Sequence, residues 1–174
     1  ILNILAAINV ALLLKIPTDE ISAKLYTFQG VEHRIEYVAN LNNVKYYNDS
    51  KATNIDSVIA AINSFESPIT LILGGLDKGA DFKALRTIVN KKKISIVAYG
   101  SAAERISKTL RDAANLYLTD KLKEAIEVSY RVTHPGEIVL LSPGCASYDQ
   151  FLNFEERGMF FKQTVKAFAI AWPT

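Results

Sequence analysis

The sequence has one cysteine, Cys145, and two histidines, His33 and His134, in 174 residues. A lone cysteine excludes an internal disulfide and fits a reducing, cytoplasmic setting. Two histidines among scattered acids give no metal-ligand spacing, so no intrinsic metal site is expected. Charge of one sign is also lacking. Twenty Lys and Arg against 18 Asp and Glu leave a formal net charge of +2, and a nucleic-acid-coating protein would carry clustered basic excess. The only basic block, Lys91-Lys92-Lys93, reads as a solvated helix end. The apolar segment Ile1 to Ile16 is too short for a membrane span and is interrupted by Asn3, Asn9 and Lys15, so it reads as a buried helix. No basic leader precedes an apolar stretch, so no signal peptide is expected. A chain starting in the middle of a helical pattern at Ile1 reads as a fragment. Internal repeats, low-complexity stretches and the phosphate-cradling GxxxxGK[ST] motif are absent.

What is present is enough apolar residue, 49%, for one well-buried core and little more than one domain. Ile4, Leu5, Ile8, Leu12 and Ile16 mark a first helix by their spacing. Pro17 breaks it, and Thr18 is placed to cap a second helix through Leu25. Thr27 to Glu32 reads as a linker around Gly30, with a domain boundary there: residues 1–30 on one side, 31–174 on the other. A hairpin follows, with strands Arg34 to Val38 and Val44 to Tyr47 and with Asn40, Asn42 and Asn43 in the turn.

From there the pattern alternates. Helices are predicted over Ile55 to Phe65, Phe82 to Val89, Ala102 to Ala113 and Leu122 to Val132, with a last long one reaching about Ala169. Between them lie short strands, Ile69 to Leu73, Ile94 to Tyr99, Leu116 to Leu118 and Ile138 to Leu141. Strands that are apolar throughout, separated by helices, predict a doubly wound α/β fold: a mainly parallel sheet covered on both faces. Ligands then bind beyond the carboxyl ends of the strands.

Polar and small residues gather in those loops. Tyr47-Asn48-Asp49-Ser50-Lys51-Ala52-Thr53-Asn54 holds far more functionality than a helix cap needs, although Thr53 or Asn54 can serve as that cap. Gly74-Gly75-Leu76-Asp77-Lys78-Gly79-Ala80-Asp81 lets a ligand approach the backbone and offers Lys78 to an anion; a plain turn with Asp81 as helix cap is the other reading. In Ser142-Pro143-Gly144-Cys145-Ala146-Ser147-Tyr148-Asp149-Gln150-Phe151, small residues again allow close approach, and Ser147 offers a hydroxyl. Cys145 has no evident base and is read as a buried small residue rather than a nucleophile. Tyr99-Gly100-Ser101 reads as a helix cap. Arg34, after His33, can grip phosphate or stack on a base, or can be a surface strand residue.

The blocks HRIEYV, YYNDSKATN, LILGGLDKGADF and LLSPGCASYDQFLNFEERGMFF, in this order from about His33 to Phe161, resemble the Mur ligases. The last block is most similar to the family that adds D-glutamate to UDP-N-acetylmuramoyl-L-alanine. The first two helices resemble the end of that family's central ATPase domain. Ile55 stands where the family often has Pro, and Val58 where a small hydroxyl residue is frequent; both bear on helix packing.

The resemblance implies a cytoplasmic ATP-dependent amide ligase of peptidoglycan synthesis, of which residues 31–174 form the C-terminal, D-glutamate-binding domain. ATP and Mg²⁺ are then held mainly by a central domain that this chain lacks, and the chain alone is expected to be inactive. The implied partners are D-glutamate, ATP and UDP-N-acetylmuramoyl-L-alanine, with no nucleic acid or membrane. By the same resemblance Lys51 approaches the terminal phosphate of ATP or the acyl phosphate. Arg34 and Asp49 contact the ATP base and ribose. Thr53, Lys78, Ser147 and the Phe154 backbone hold D-glutamate. A diaminopimelate- or folylpolyglutamate-type ligase domain, or a non-catalytic Rossmann-like ligand-binding module, are the alternatives.

Overall fold

The computed structural model describes residues 2–28 and 30–171. The chain divides into two compact units between Val31 and Glu32. The start at Ile1 lies outside the described residues, as does part of the expected linker, Gln29.

In the first unit, α1 (Leu2–Leu13) and α2 (Thr18–Thr27) flank the break at Pro17. Thr18 does not cap α2; Pro17 holds the cap position and no side chain bonds to it. The expected buried helix is instead open. Ile4, Leu5, Val10 and Leu12 are all more than 40% exposed, because two short helices alone bury only a narrow strip of each other.

The second unit begins with a hairpin, β1 (Glu36–Leu41) against β2 (Val44–Asn48). Asn42 and Asn43 both have positive φ, 50° and 63°, as a tight turn matched to strand twist requires. Asn40 is not in that turn; it pairs with Lys45 inside the ladder. The chain then runs through α3 (Ile55–Asn63), β3 (Ile69–Gly74), a 3₁₀ turn at Phe82–Leu85 leading into α4 (Arg86–Lys92), and β4 (Ser95–Tyr99). After it come α5 (Ala103–Leu110), β5 (Asn115–Thr119), α6 (Leu122–Val132), β6 (Ile138–Gly144) and α7 (Phe154–Ala171).

The sheet order is β1-β2-β6-β3-β4-β5, parallel except for β1. Central strands β3 and β6 are buried at every residue. Alternate residues of one strand serve opposite faces. Leu71, Leu73, Ile96 and Leu140 pack with α3, α4 and α5, while Ile72, Val97, Val139 and Leu141 pack with α6 and α7. Edge strand β5 departs from the expected apolar burial: no residue of it is buried, and Leu118 is half exposed.

The order creates the site. Chain from β3 leaves toward the α4 face, and chain from its neighbour β6 leaves toward the α7 face. Where adjacent parallel strands send their connections to opposite faces, a crevice opens at their carboxyl ends. One basic residue is also placed differently from expectation: Lys92 is not a solvated end but donates to the Ile62 and Phe65 carbonyls at 3.1 and 2.6 Å, closing the end of α3.

Candidate functional site

The loop after β2 is built from its own polar residues. Asn48 is fully buried. Its amide nitrogen donates to Glu36 Oε2 at 3.0 Å and meets His33 Nδ1 at 2.9 Å, while its oxygen accepts from the Ser50 N–H at 3.1 Å. Asn54 caps α3 by accepting from the Ser57 N–H at 2.8 Å, which leaves Thr53 exposed and free of that duty. Asp49 is 6% exposed. It accepts from the Ser142 hydroxyl at 2.8 Å and the Ile35 N–H at 3.3 Å. Burial pushes its carboxyl up to about 6, against the opposing pull of those two bonds and of the Arg34 charge. Arg34 itself is exposed.

Sequence reasoning missed the group beneath this loop. Arg157 on α7 is fully buried. Its guanidinium donates to Ser50 Oγ at 2.9 Å, the Ser50 carbonyl at 2.7 Å and the Cys145 carbonyl at 3.1 Å. It joins the loops after β2 and β6 to the first turn of α7. Ser50 Oγ in turn donates to the Phe154 carbonyl at 2.8 Å. Gly158 permits the approach, because a Cβ there would lie 2.2 Å from His33 Nδ1. The one available signal is Arg157-Gly158 early in the last, long helix.

The loops after β3 and β6 are joined by a backbone bridge between Leu76 and Ala146. Gly75 has φ 119°, and a Cβ on it would sit 2.4 Å from the Ala146 carbonyl oxygen. Asp77 shapes the next turn, accepting from the Gly79 and Ala80 amides at 2.8 and 2.9 Å and pairing with Arg105. Burial works against its charge, but the Arg105 bond and the two amides outweigh it and hold the carboxyl below its ordinary value. Asp81 caps the following turn through the Lys83 N–H. Ser101 is not a simple helix cap: its hydroxyl donates to the Gly75 carbonyl at 3.0 Å.

These three loops enclose a cavity of about 620 Å³. Thr53, Lys78, Ser147 and Phe154 all line it, with Gly79, Gly144 and the start of α3. Ile55 lines it too, although it also packs in the core. Lys51 is not among the lining residues; its Nζ lies 4.2 Å from the centre of the Phe154 ring, and Lys78 Nζ lies 5.0 Å from the Tyr148 ring centre. Arg34 and Asp49 are not among the lining residues. Cys145 borders the cavity, and burial pushes its thiol up to about 12, far from nucleophilic use at neutral pH. The α3 N-terminus adds partial positive charge. The lining thus combines the Lys78 cation and the Thr53 and Ser147 hydroxyls with the carboxylates of Asp56 and Asp81.

Among the described residues, only Glu32, His33 and Glu36 bring three metal-ligating groups together. None lines the cavity, and Lys162 already donates to both carboxylates. The carboxylates that do line the cavity are Asp56 and Asp81. Neither belongs to a cluster of three metal-ligating groups among the described residues.

The model of the Mur ligase glutamate ligase domain matches residues 33–145. The chain belongs to this family. It is 47% identical to UDP-N-acetylmuramoylalanine–D-glutamate ligase of Caldanaerobacter subterraneus subsp. tengcongensis, covering 94% of this chain and 37% of that protein. It is 44% identical to the Clostridioides difficile ligase of the same name, again over 94% of this chain and 37% of the relative. The chain thus spans a little over a third of the length of these relatives. Solved Mur ligase structures share the fold. UDP-N-acetylmuramate-alanine ligase MurC from Thermotoga maritima superposes with TM-score 0.71 at 17% identity, over 98% of this chain and 38% of that one. A pseudomurein peptide ligase type C from Methanothermus fervidus gives 0.67 at 17%, over 95% and 35%. No helix among the described residues is long and apolar enough to cross a membrane.

Proposed function

We propose that residues 31–174 are the D-glutamate-binding C-terminal domain of a ligase that joins D-glutamate to UDP-N-acetylmuramoyl-L-alanine, and that residues 1–30 end its central ATPase domain. The observation that carries this is the convergence of Thr53, Lys78, Ser147 and Phe154 on one cavity at the switch point of the sheet. Lys78 takes a carboxylate of D-glutamate. The Thr53 and Ser147 hydroxyls and the Phe154 N–H complete the cradle. The Phe154 carbonyl is already engaged by Ser50, while the N–H at the first helical position has no intrahelical acceptor.

ATP phosphorylates the muramoyl-L-alanine carboxylate. The neutral amine of D-glutamate then attacks the acyl phosphate, and phosphate leaves the tetrahedral intermediate. Lys51 supplies the cation that offsets charge developing on the acyl phosphate oxygens. Mg²⁺ is held, with ATP, mainly by the central domain. Arg34 is free to meet the nucleotide. For Asp49, its burial and its bonds to Ser142 and Ile35 favour a second role, holding the start of β1 against β6.

The test uses the full-length protein with ATP and UDP-N-acetylmuramoyl-L-alanine. D-glutamate should support amide formation with stoichiometric phosphate release, and meso-diaminopimelate or L-glutamate should not. Turnover with diaminopimelate in place of D-glutamate would assign the domain to a different amide ligase.

A further inference from the structure

Tyr148 has no role in the proposed function, yet it lines the cavity and is 62% exposed. Burial does not explain a tyrosine in that position. Its observed contact is with Lys78, whose Nζ lies 5.0 Å from the ring centre. Lys78 makes no ion pair within 4 Å among the described residues. The carboxylate preceding it, Asp77, is committed to Arg105 and to two backbone amides. The aromatic face is therefore the partner that holds this ammonium.

We infer that Tyr148 is a positioning residue: its ring seats the Lys78 ammonium at the rim of the cavity, ready for the carboxylate of an acidic amino acid. The inference rests on the proposed D-glutamate reading of the cavity. The physical advantage lies in the kind of partner. A carboxylate beside Lys78 would neutralise it and compete with the ligand. A ring face attracts the cation through its quadrupole and leaves its charge and outward N–H groups available. A lysine stem has four rotatable bonds, so seating it before binding removes part of the ordering cost that binding otherwise bears. The Leu76–Ala146 bridge keeps the two loops in register, and Lys51 over Phe154 shows the same pairing of ammonium and ring.

Two measurements decide it. In this chain, the Lys78 side-chain Hε protons should be shifted upfield by the Tyr148 ring current; Tyr148→Leu should abolish the shift and Tyr148→Phe keep it. In the full-length protein, Tyr148→Leu should raise the D-glutamate KM two- to fivefold, equivalent to about 0.5–1 kcal/mol, with kcat and the ATP KM unmoved. Tyr148→Phe should restore the KM. In a Lys78→Ala background, Tyr148→Leu should have no further effect, which a merely structural role would not produce. If Lys78→Ala raises the D-glutamate KM but Tyr148→Leu does not, or raises it equally with and without Lys78, the inference fails and the reading of the cavity survives. If Lys78→Ala itself leaves that KM unchanged, both fail.

Discussion

The Arg157 guanidinium holds its place without a carboxylate partner among the described residues; its bonds go to two carbonyls and to the Ser50 and Tyr99 hydroxyls. Arg157→Ala would leave those acceptors buried and unpaired and open a large void. A loss of about 3–5 kcal/mol is expected, read as a lower urea midpoint of this chain. A midpoint within a few tenths of a kcal/mol of wild type would contradict the account. Asp49 makes a prediction of opposite character. Its folded value of about 6 lies above the ordinary 3.8, so between these pH values the native state binds more protons than the unfolded one. Its contribution to stability therefore falls as pH rises through that window, by on the order of 3 kcal/mol in total. Glu32, Glu36 and Asp77 are lowered, and they act the other way, below their ordinary values. Asp49→Asn should remove the decline between pH 4 and 6, seen by comparing urea midpoints of the two proteins across that range. Parallel pH profiles would count against it.

At the scale of elements, two glycines after β3 set how closely its loop meets its neighbours. A Cβ at Gly74, where φ is 142°, would lie 2.0 Å from the Tyr99 carbonyl oxygen in β4. Gly74→Ala should cost about 2 kcal/mol or more, whereas Gly136→Ala, with nothing within 4 Å, should cost only its backbone strain. Thermal unfolding of the two variants checks the contrast; equal losses would show that the close approach to β4 is not what matters. Much of this architecture is legible in sequence. Continuous apolar runs such as Ile69 to Leu73 can only be buried strands between covered faces, and α6 falls at the expected Leu122 and Val132. Legibility fails where long-range contact overrides local pattern. Arg157 reaches an acceptor 107 residues away, and no periodicity announces a cation satisfied by carbonyl oxygens. Lys92 looks like a surface charge until the end of α3 is folded beneath it. The convergence of Thr53, Lys78, Ser147 and Phe154 was expected only through family resemblance, since spacing alone does not say which loops the sheet order brings together.

At the scale of the whole molecule, the proposed function divides amino-acid binding from phosphate chemistry between this chain and the rest of a longer protein. This chain carries the cavity, with Lys78 on its lining, but no GxxxxGK[ST] loop to cradle phosphates. Incubated alone with ATP, D-glutamate and UDP-N-acetylmuramoyl-L-alanine, it should form no amide; product detected by mass spectrometry would refute that division. The central claim is that Lys78 binds the amino acid while Lys51 serves the reaction. Steady-state kinetics of Lys78→Ala and Lys51→Ala in the full-length protein, varying each substrate in turn, test it most directly. Lys78→Ala removes a charge-assisted hydrogen bond of about 1.5–3 kcal/mol. It should raise the D-glutamate KM by about one to two powers of ten, with the ATP KM little changed. Lys51→Ala should chiefly lower kcat. An unchanged D-glutamate KM in Lys78→Ala, or the same kinetic pattern in both variants, would contradict the account.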